Sequence, residues 1–372
     1  MTMPLPPPDS ILVAHGPGET RYALMSGETL VEIAHRRDGA PYEGAVLFAR
    51  IGAAAPGMRA VFADIGGAAG LLKMKSTVLT EGAGVAVVLV VPPRAGKNAE
   101  LALTPDMPVP ADAKPGAVLR ASPDPTVAWW ARHGATITQI ICTRRAEAAR
   151  LKGLLGAAAP ISVHTGSGDV FAVADAGIAE ALDPVAPLPC GGSVIIESTA
   201  AAVCIDVNAG PADADTANGE ALAAVARELR RRNLAGHILV DVIPTRRKAA
   251  LSRLFGGLVA DDPLDVRVAG LTPLGMLELT RRRMGLSLAE TLCDGTGRPS
   301  AETVALHALR DAVRFAFSAK AAHVALDVAP EVVETLAGLE GAVTEARDMI
   351  KGEIRIAARA NFIRARFELR PA

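Results

Sequence analysis

Along the first hundred residues, apolar positions come in short runs broken by glycine and proline. Residues 11–13 (ILV), 21–25 (RYALM) and 28–33 (ETLVEI) predict three strands, with turns at Gly16, Gly18 and Gly27. From Tyr42 the runs tighten into YEGAVLFARI, APGMR, AVFADIGG, AGLLKM and VAVVLVV. Strand-like runs of this length and spacing predict a small β-barrel, closed by PPRAGKNAELALT from Pro92 to Thr104. Residues 105–126 are rich in Pro and Asp and read as a linker. Beyond it, ITQIIC predicts a strand and RRAEAARLKGLL a helix. After the Gly-rich break DGTGRPS (Asp294 to Ser300), the remaining pattern alternates between helix and strand, as in a small α/β unit.

The middle of the chain carries the chemistry. SVIIEST and AVCIDVNAG predict a hairpin. Period-two alternation in its second strand puts Val203, Ile205 and Val207 on one face and Cys204, Asp206 and Asn208 on the other. Next, Leu222, Val225, Ala226 and Leu229 form a helical stripe, and HILVDVI follows as a strand with Asp241 inside it. A carboxylate in an apolar strand is costly to bury alone. Two of them, on strands joined by one helix, can stand side by side and share a hard cation such as Mg²⁺. The alternative is that both cap turns or pair with arginines.

Composition changes this picture little until charge is taken locally. Only 3% of the 372 residues are aromatic, and 39 Lys and Arg balance 40 Asp and Glu, which does not mark an obvious nucleic-acid binder. Yet eight basic residues lie between Arg227 and Arg253, opposed only by Glu228 and Asp241. Arg230 and Arg231 belong to this cluster. The triplet Arg281–Arg283 and a C-terminal set from Lys351 to Arg370 add to it. Such clusters neutralise phosphates, and their bracketing of two strand carboxylates points to a phosphodiester substrate. In the barrel, Phe62 and Lys97 are candidates for a single-strand platform, against the alternative that Phe62 is core. The proline cluster in MTMPLPPPDS reads as a loose lead-in rather than a signal peptide. Val85 to Val91, the longest apolar run, is too short to span a membrane, and the four cysteines form no CxxC pair. A reduced cytoplasmic protein is expected.

The strings GGSVIIESTAAAVCIDVNAG, ANGEALAAVARELRRRNLAGHILVDVI and GLTPLGMLELTRRR resemble the ribonuclease E / ribonuclease G family of bacterial endoribonucleases. YEGAVLFARIGAAAPGMRAVFADIGGAAGLL resembles that family's RNA-binding barrel, and LCDGTGRPSAETVALHALR its junction to a small C-terminal domain. The resemblance implies an α/β (mixed α+β) chain. The start of an RNase H-like scaffold would occupy residues 1–37 and an OB-type barrel 38–104. A linker and the rest of the scaffold would take 105–189, a deoxyribonuclease I-like catalytic subdomain 190–286, and a small α/β domain 287–372. It implies that Asp206 and Asp241 bind Mg²⁺, that Asn208 positions the attacked phosphate, and that Phe62 and Lys97 contact single-stranded RNA. The expected activity is hydrolysis of single-stranded, A/U-rich RNA to 5′-phosphate and 3′-hydroxyl ends. The alternative is a non-catalytic RNA-binding scaffold of the same family; a DNA nuclease fits less well.

The chain also departs from the family pattern. The segment that carries a 5′-monophosphate-sensing Arg-Thr pair is reduced to roughly Leu103–Asp124, which predicts a member without 5′-end sensing. The CPxC zinc link reads ETLC, with Glu290 at the first thiolate and only Cys293 kept. No structural zinc is therefore expected; a homodimer stays open, but not a zinc-linked one. Pro244 replaces a second acid after Asp241, and the family's Asn-x-Asn is reduced to Asn218.

Overall fold

The computed structural model describes residues 6–74, 79–94, 96–104, 106–165 and 168–372. Met1–Leu5 of the proline-rich lead-in lie outside the described residues. Strands β1 (Ser10–Gly16), β2 (Glu19–Ser26) and β3 (Thr29–Arg37) form an antiparallel meander. Their alternating apolar faces are both covered, because two further layers pack on this sheet.

The chain then leaves the sheet for the barrel: β4 (Val46–Ala54), β5 (Ala60–Asp64), β6 (Ala69–Lys73), β7 (Gly84–Val91) and β8 (Ala99–Leu103). The strand order β5-β6-β8-β7-β4, with β4 pairing back to β5 and β6 parallel to β8, closes an OB-like barrel. Leu47, Ile51, Leu72, Val87, Leu89 and Leu101 fill its interior. Two local expectations need correction. APGMR (Ala55–Arg59) is no strand but the turn between β4 and β5; its proline and glycine suit a turn, and the fifth strand comes from Ala99–Leu103. Within the expected linker, β9 (Val118–Arg120) pairs with β4. A three-residue run is too short to announce itself by alternation.

After the barrel come α1 (Pro125–His133), β10 (Gln139–Cys142), α2 (Arg145–Leu155), β11 (Ile161–Val163) and α3 (Ala172–Leu182). Asp124 caps α1 by accepting from the Thr126 N–H at 2.7 Å. Strands β10 and β11 add in parallel to β1, giving the order β11-β10-β1-β2-β3.

The second large sheet holds β12 (Val185–Pro187), β13 (Ser193–Ser198), β14 (Val203–Asn208), β15 (Gly236–Asp241), β16 (Val266–Leu271) and β17 (Met276–Arg281), in the order β12-β13-β14-β15-β17-β16. The helices α4 (Ala214–Arg231) and α5 (Lys248–Leu258) cover one face, sealing a core that includes Ile205, Leu222, Val225, Val240 and Phe255. The other face is open.

The short helix α6 (Leu288–Leu292) leads to the last unit: α7 (Ala301–Ala319), β18 (His323–Val328), α8 (Pro330–Gly338), α9 (Glu340–Ile350), β19 (Glu353–Ala358) and β20 (Phe367–Pro371). Its three strands run β19-β18-β20. Glu345 of α9 docks this unit on the first sheet, accepting from Gly18 N–H at 3.0 Å and lying 2.7 Å from His15 and 2.9 Å from Arg144.

Candidate active site

The hairpin and the helix-linked strand form as the alternation predicts. β13 and β14 are antiparallel, and β15 lies parallel to β14 with Asp206 directly beside Asp241. Valine and isoleucine on the inner face of both strands bury themselves under α4, which turns the aspartates outward. Neighbouring strands are about 4.8 Å apart, so the two carboxylates share one small patch. Both are exposed, and among the described residues neither has an ion-pair partner. The alternative that they pair with arginines or cap turns is therefore not what the fold does with them. Asn208 Nδ2 donates to Asp206 Oδ2 at 3.1 Å, which aims the amide across the same patch.

Glycine shapes the rim. At Gly192 an added Cβ would come within 2.2 Å of the Asn208 carbonyl oxygen, and at Gly210, where φ is +59°, within 2.4 Å of the Gly191 carbonyl oxygen. The ends of β13 and β14 thus close together beside Asn208 with no side chain between them.

Two exposed like charges without a cationic partner fit a hard divalent cation that keeps most of its waters. Among the described residues no group of three or more His, Cys, Asp or Glu side chains gathers to form an all-protein cage. Asp206 and Asp241 are the residues that would hold such an ion.

The basic residues divide into two sets. Arg230 and Arg231 sit at the C-terminal end of the 18-residue α4, about 27 Å along the helix from its start near the carboxylates. They are not brought to the carboxylate pair, and their charges are engaged. Arg230 lies 2.5 Å from Glu32 of β3, and Arg231 is bound to Glu228 at 2.6 Å and Glu180 at 3.0 Å. Two C-terminal arginines are similarly occupied: Arg364 by Asp294 and Glu331, and Arg359 by Asp327. The opposite holds for Arg246, Arg247, Lys248 and Arg253, which are exposed on the turn after Asp241 and on α5. Of these, Arg247 has a loose contact at 3.3 Å to Asp215.

Glu32 gives the first set its purpose. It takes Arg230, Arg132 at 2.9 Å and Trp129 Nε1 at 2.7 Å, tying the first sheet to α1 and α4. Burial pushes its carboxyl up, but the hydrogen bond from Arg132 and the charge of Arg230 outweigh this and lower its pKa from 4.5 to about 2. A lowered carboxyl contributes stability that is complete above the unfolded value and is lost as pH falls through the folded one. Glu32→Gln is expected to cost about 3 kcal/mol at pH 7 and to flatten the loss of stability between about pH 4.5 and 2. Urea unfolding across that range checks both; an unchanged acid limb would remove Glu32 from the account.

On the barrel, Phe62 projects from β5 half-buried and outside the core cluster. It lines a shallow depression of about 480 Å³ with Arg50, Gly52 and Asp64. Lys97 sits on the turn before β8, where its Nζ donates to the Ala200 carbonyl at 3.3 Å, at the tip of the β13–β14 hairpin. The barrel thus abuts the tip, six residues along the chain from Asp206, a span of at most about 20 Å.

The displaced zinc-link position has a local occupation. Glu290 closes the capping box of α6 with Ser287 and binds Arg283 at 3.0 Å. The half-buried Cys293 packs against the core under the first sheet, and burial, then Asp294, pushes its thiol up. Asn218, noted in the sequence only as a remnant, is buried beneath the turn after Asp241.

Residues 114–284 match the model of the ribonuclease E/G family. Ribonuclease G of Haemophilus influenzae is 36% identical over 164 residues, 39% of this chain and 33% of that protein. Ribonuclease E of a Nostoc species is 40% identical over 131 residues, 32% and 19% of the two chains. Ribonuclease G of Salmonella typhimurium is 29% identical over 211 residues, 52% and 43% of the two. The chain thus spans less than half the length of these relatives. Among the described residues no helix is long and apolar enough to cross a membrane.

Proposed function

From the match of residues 114–284 to the ribonuclease E/G family model, we propose that this protein is a member of that family and a Mg²⁺-dependent endoribonuclease acting on single-stranded, A/U-rich RNA. The observation that carries the proposal is the pair Asp206 and Asp241, side by side, exposed and unpaired among the described residues, with the Asn208 amide on the same patch. The order of the first sheet supports an RNase H-like scaffold, and the open, helix-backed second sheet supports a deoxyribonuclease I-like catalytic subdomain.

In this reading Phe62 stacks a base and Lys97 meets a phosphate on the barrel. The strand then runs along the open face of β14 toward the carboxylates. The Asn208 amide donates to a non-bridging oxygen of the scissile phosphate and turns the phosphorus toward an incoming water. The basic turn Arg246–Lys248 offsets the backbone charge of the flanking nucleotides. Water attacks phosphorus, the bond to the 3′-oxygen breaks, and a proton passes to that oxygen, leaving 5′-phosphate and 3′-hydroxyl ends. Asp206 and Asp241 would hold Mg²⁺, which would supply positive charge against the charge that develops on the phosphate. The shortened 103–124 segment carries no equivalent of the 5′ sensor, so RNAs with 5′-monophosphate and 5′-hydroxyl ends are cut alike. A homodimer is left open, without a zinc link.

The test is incubation of purified protein with a labelled single-stranded RNA, in Mg²⁺ and in chelator. Cleavage only in Mg²⁺ is the expected result. Binding without cleavage under any divalent ion would replace the enzyme with a non-catalytic RNA-binding scaffold.

A further inference from the structure

The first turns of α4 do something that the catalytic reading leaves unused. Asn218 is wholly buried. Its Nδ2 donates to the Ile243 carbonyl at 2.8 Å, and its Oδ1 accepts from the Ile243 N–H at 2.9 Å. Near the helix start, Asp215 accepts from Thr245 Oγ1 at 2.9 Å. All three bonds fall on the segment just past Asp241.

Strand β15 ends at Asp241, where its pairings to β14 and β17 both stop. Beyond that point the backbone has no strand neighbour among the described residues. A carboxamide carries the same donor and acceptor as a peptide group, so Asn218 stands in for the missing neighbour at Ile243. The need is electrostatic as well. Asp206 and Asp241 are like charges in adjacent strands. The β14 end is held by the Ser193–Asn208 pairing, so fraying of β15 is the easier way to relieve their repulsion.

We infer that Asn218 is a positioning residue for the carboxylate pair. By holding Ile243 it keeps Asp241 in register with Asp206 and fixes the Thr245–Lys248 turn beside them. A divalent cation then meets a preset pair instead of a frayed one. The inference rests on the reading of Asp206 and Asp241 as a metal site.

Three variants test it. Asn218→Ala removes the staple. Thr245→Val removes its surface arm while burying nothing. Leu222→Ala weakens the same helix from its core side and leaves the two Asn218–Ile243 hydrogen bonds in place. Each is followed by hydrogen exchange of residues 241–248, by Mn²⁺ titration without RNA, and by cleavage against Mg²⁺. Asn218→Ala should speed exchange of the segment and raise the Mn²⁺ half-saturation, each about tenfold, with cleavage recovering at high Mg²⁺. Thr245→Val should move both in the same direction by about threefold. Leu222→Ala should lower the melting temperature and leave the half-saturation alone. A half-saturation in Asn218→Ala within about twofold of the parent, or an equal shift in Leu222→Ala, overturns the inference. Failure of the metal reading looks different: the parent itself then binds no Mn²⁺, while the exchange contrast between parent and Asn218→Ala persists.

Discussion

Asparagine in place of Asp206 or of Asp241 is expected to slow RNA cleavage by about a thousandfold. The substitution keeps the shape and removes one charge from the patch that would hold the cation. Because both side chains are exposed and repel each other across adjacent strands, neither variant should lose stability, and each should melt at or slightly above the parent. Affinity for single-stranded RNA measured in chelator should stay within about twofold, since the barrel and the basic turn are untouched. Single-turnover cleavage, a thermal melt and a binding isotherm separate the three statements. Cleavage that persists in both variants would remove the carboxylate pair from the mechanism.

The second large effect concerns charge. Changing Arg246, Arg247 and Lys248 together to alanine should weaken RNA binding on the order of tenfold to a hundredfold at low salt. The slope of log affinity against log salt should fall by about 2, at roughly 0.7 per single-strand phosphate contact. Arg230→Ala should leave RNA affinity within about twofold and lower stability instead, because its guanidinium is spent on Glu32. Binding isotherms at four or five salt concentrations decide it. An affinity that follows Arg230 and ignores the turn would reverse the division.

That division shows where the sequence could be read and where it could not. The pairing of Asp206 with Asp241 was legible because two period-two strands around one amphipathic helix leave few arrangements open. A crossover of that length makes the strands parallel, and alternation decides which side each carboxylate takes. The barrel was legible for a similar reason, since its strands are punctuated by Gly and Pro. Which arginines remain free was not legible. Arg230 meets an acid 198 positions away in another sheet, and no local pattern records that. Asn218 was equally silent. Its work is a pair of bonds to a backbone 25 residues on, and the helix stripe around it reads the same with or without them.

The barrel interrupts the first sheet between β3 and α1, and its two connections run side by side. Tyr42 N–H donates to Ser122 Oγ at 2.9 Å, and that hydroxyl returns a bond to the Tyr42 carbonyl at 3.1 Å. The insertion therefore begins and ends at one point on its host. A module with such ends can be shortened, exchanged or gained over evolutionary time without rerouting the chain. The same geometry offers a graft point: another barrel spliced between residues 42 and 122 would inherit the placement of this one and, in the proposed reading, its course toward the carboxylates.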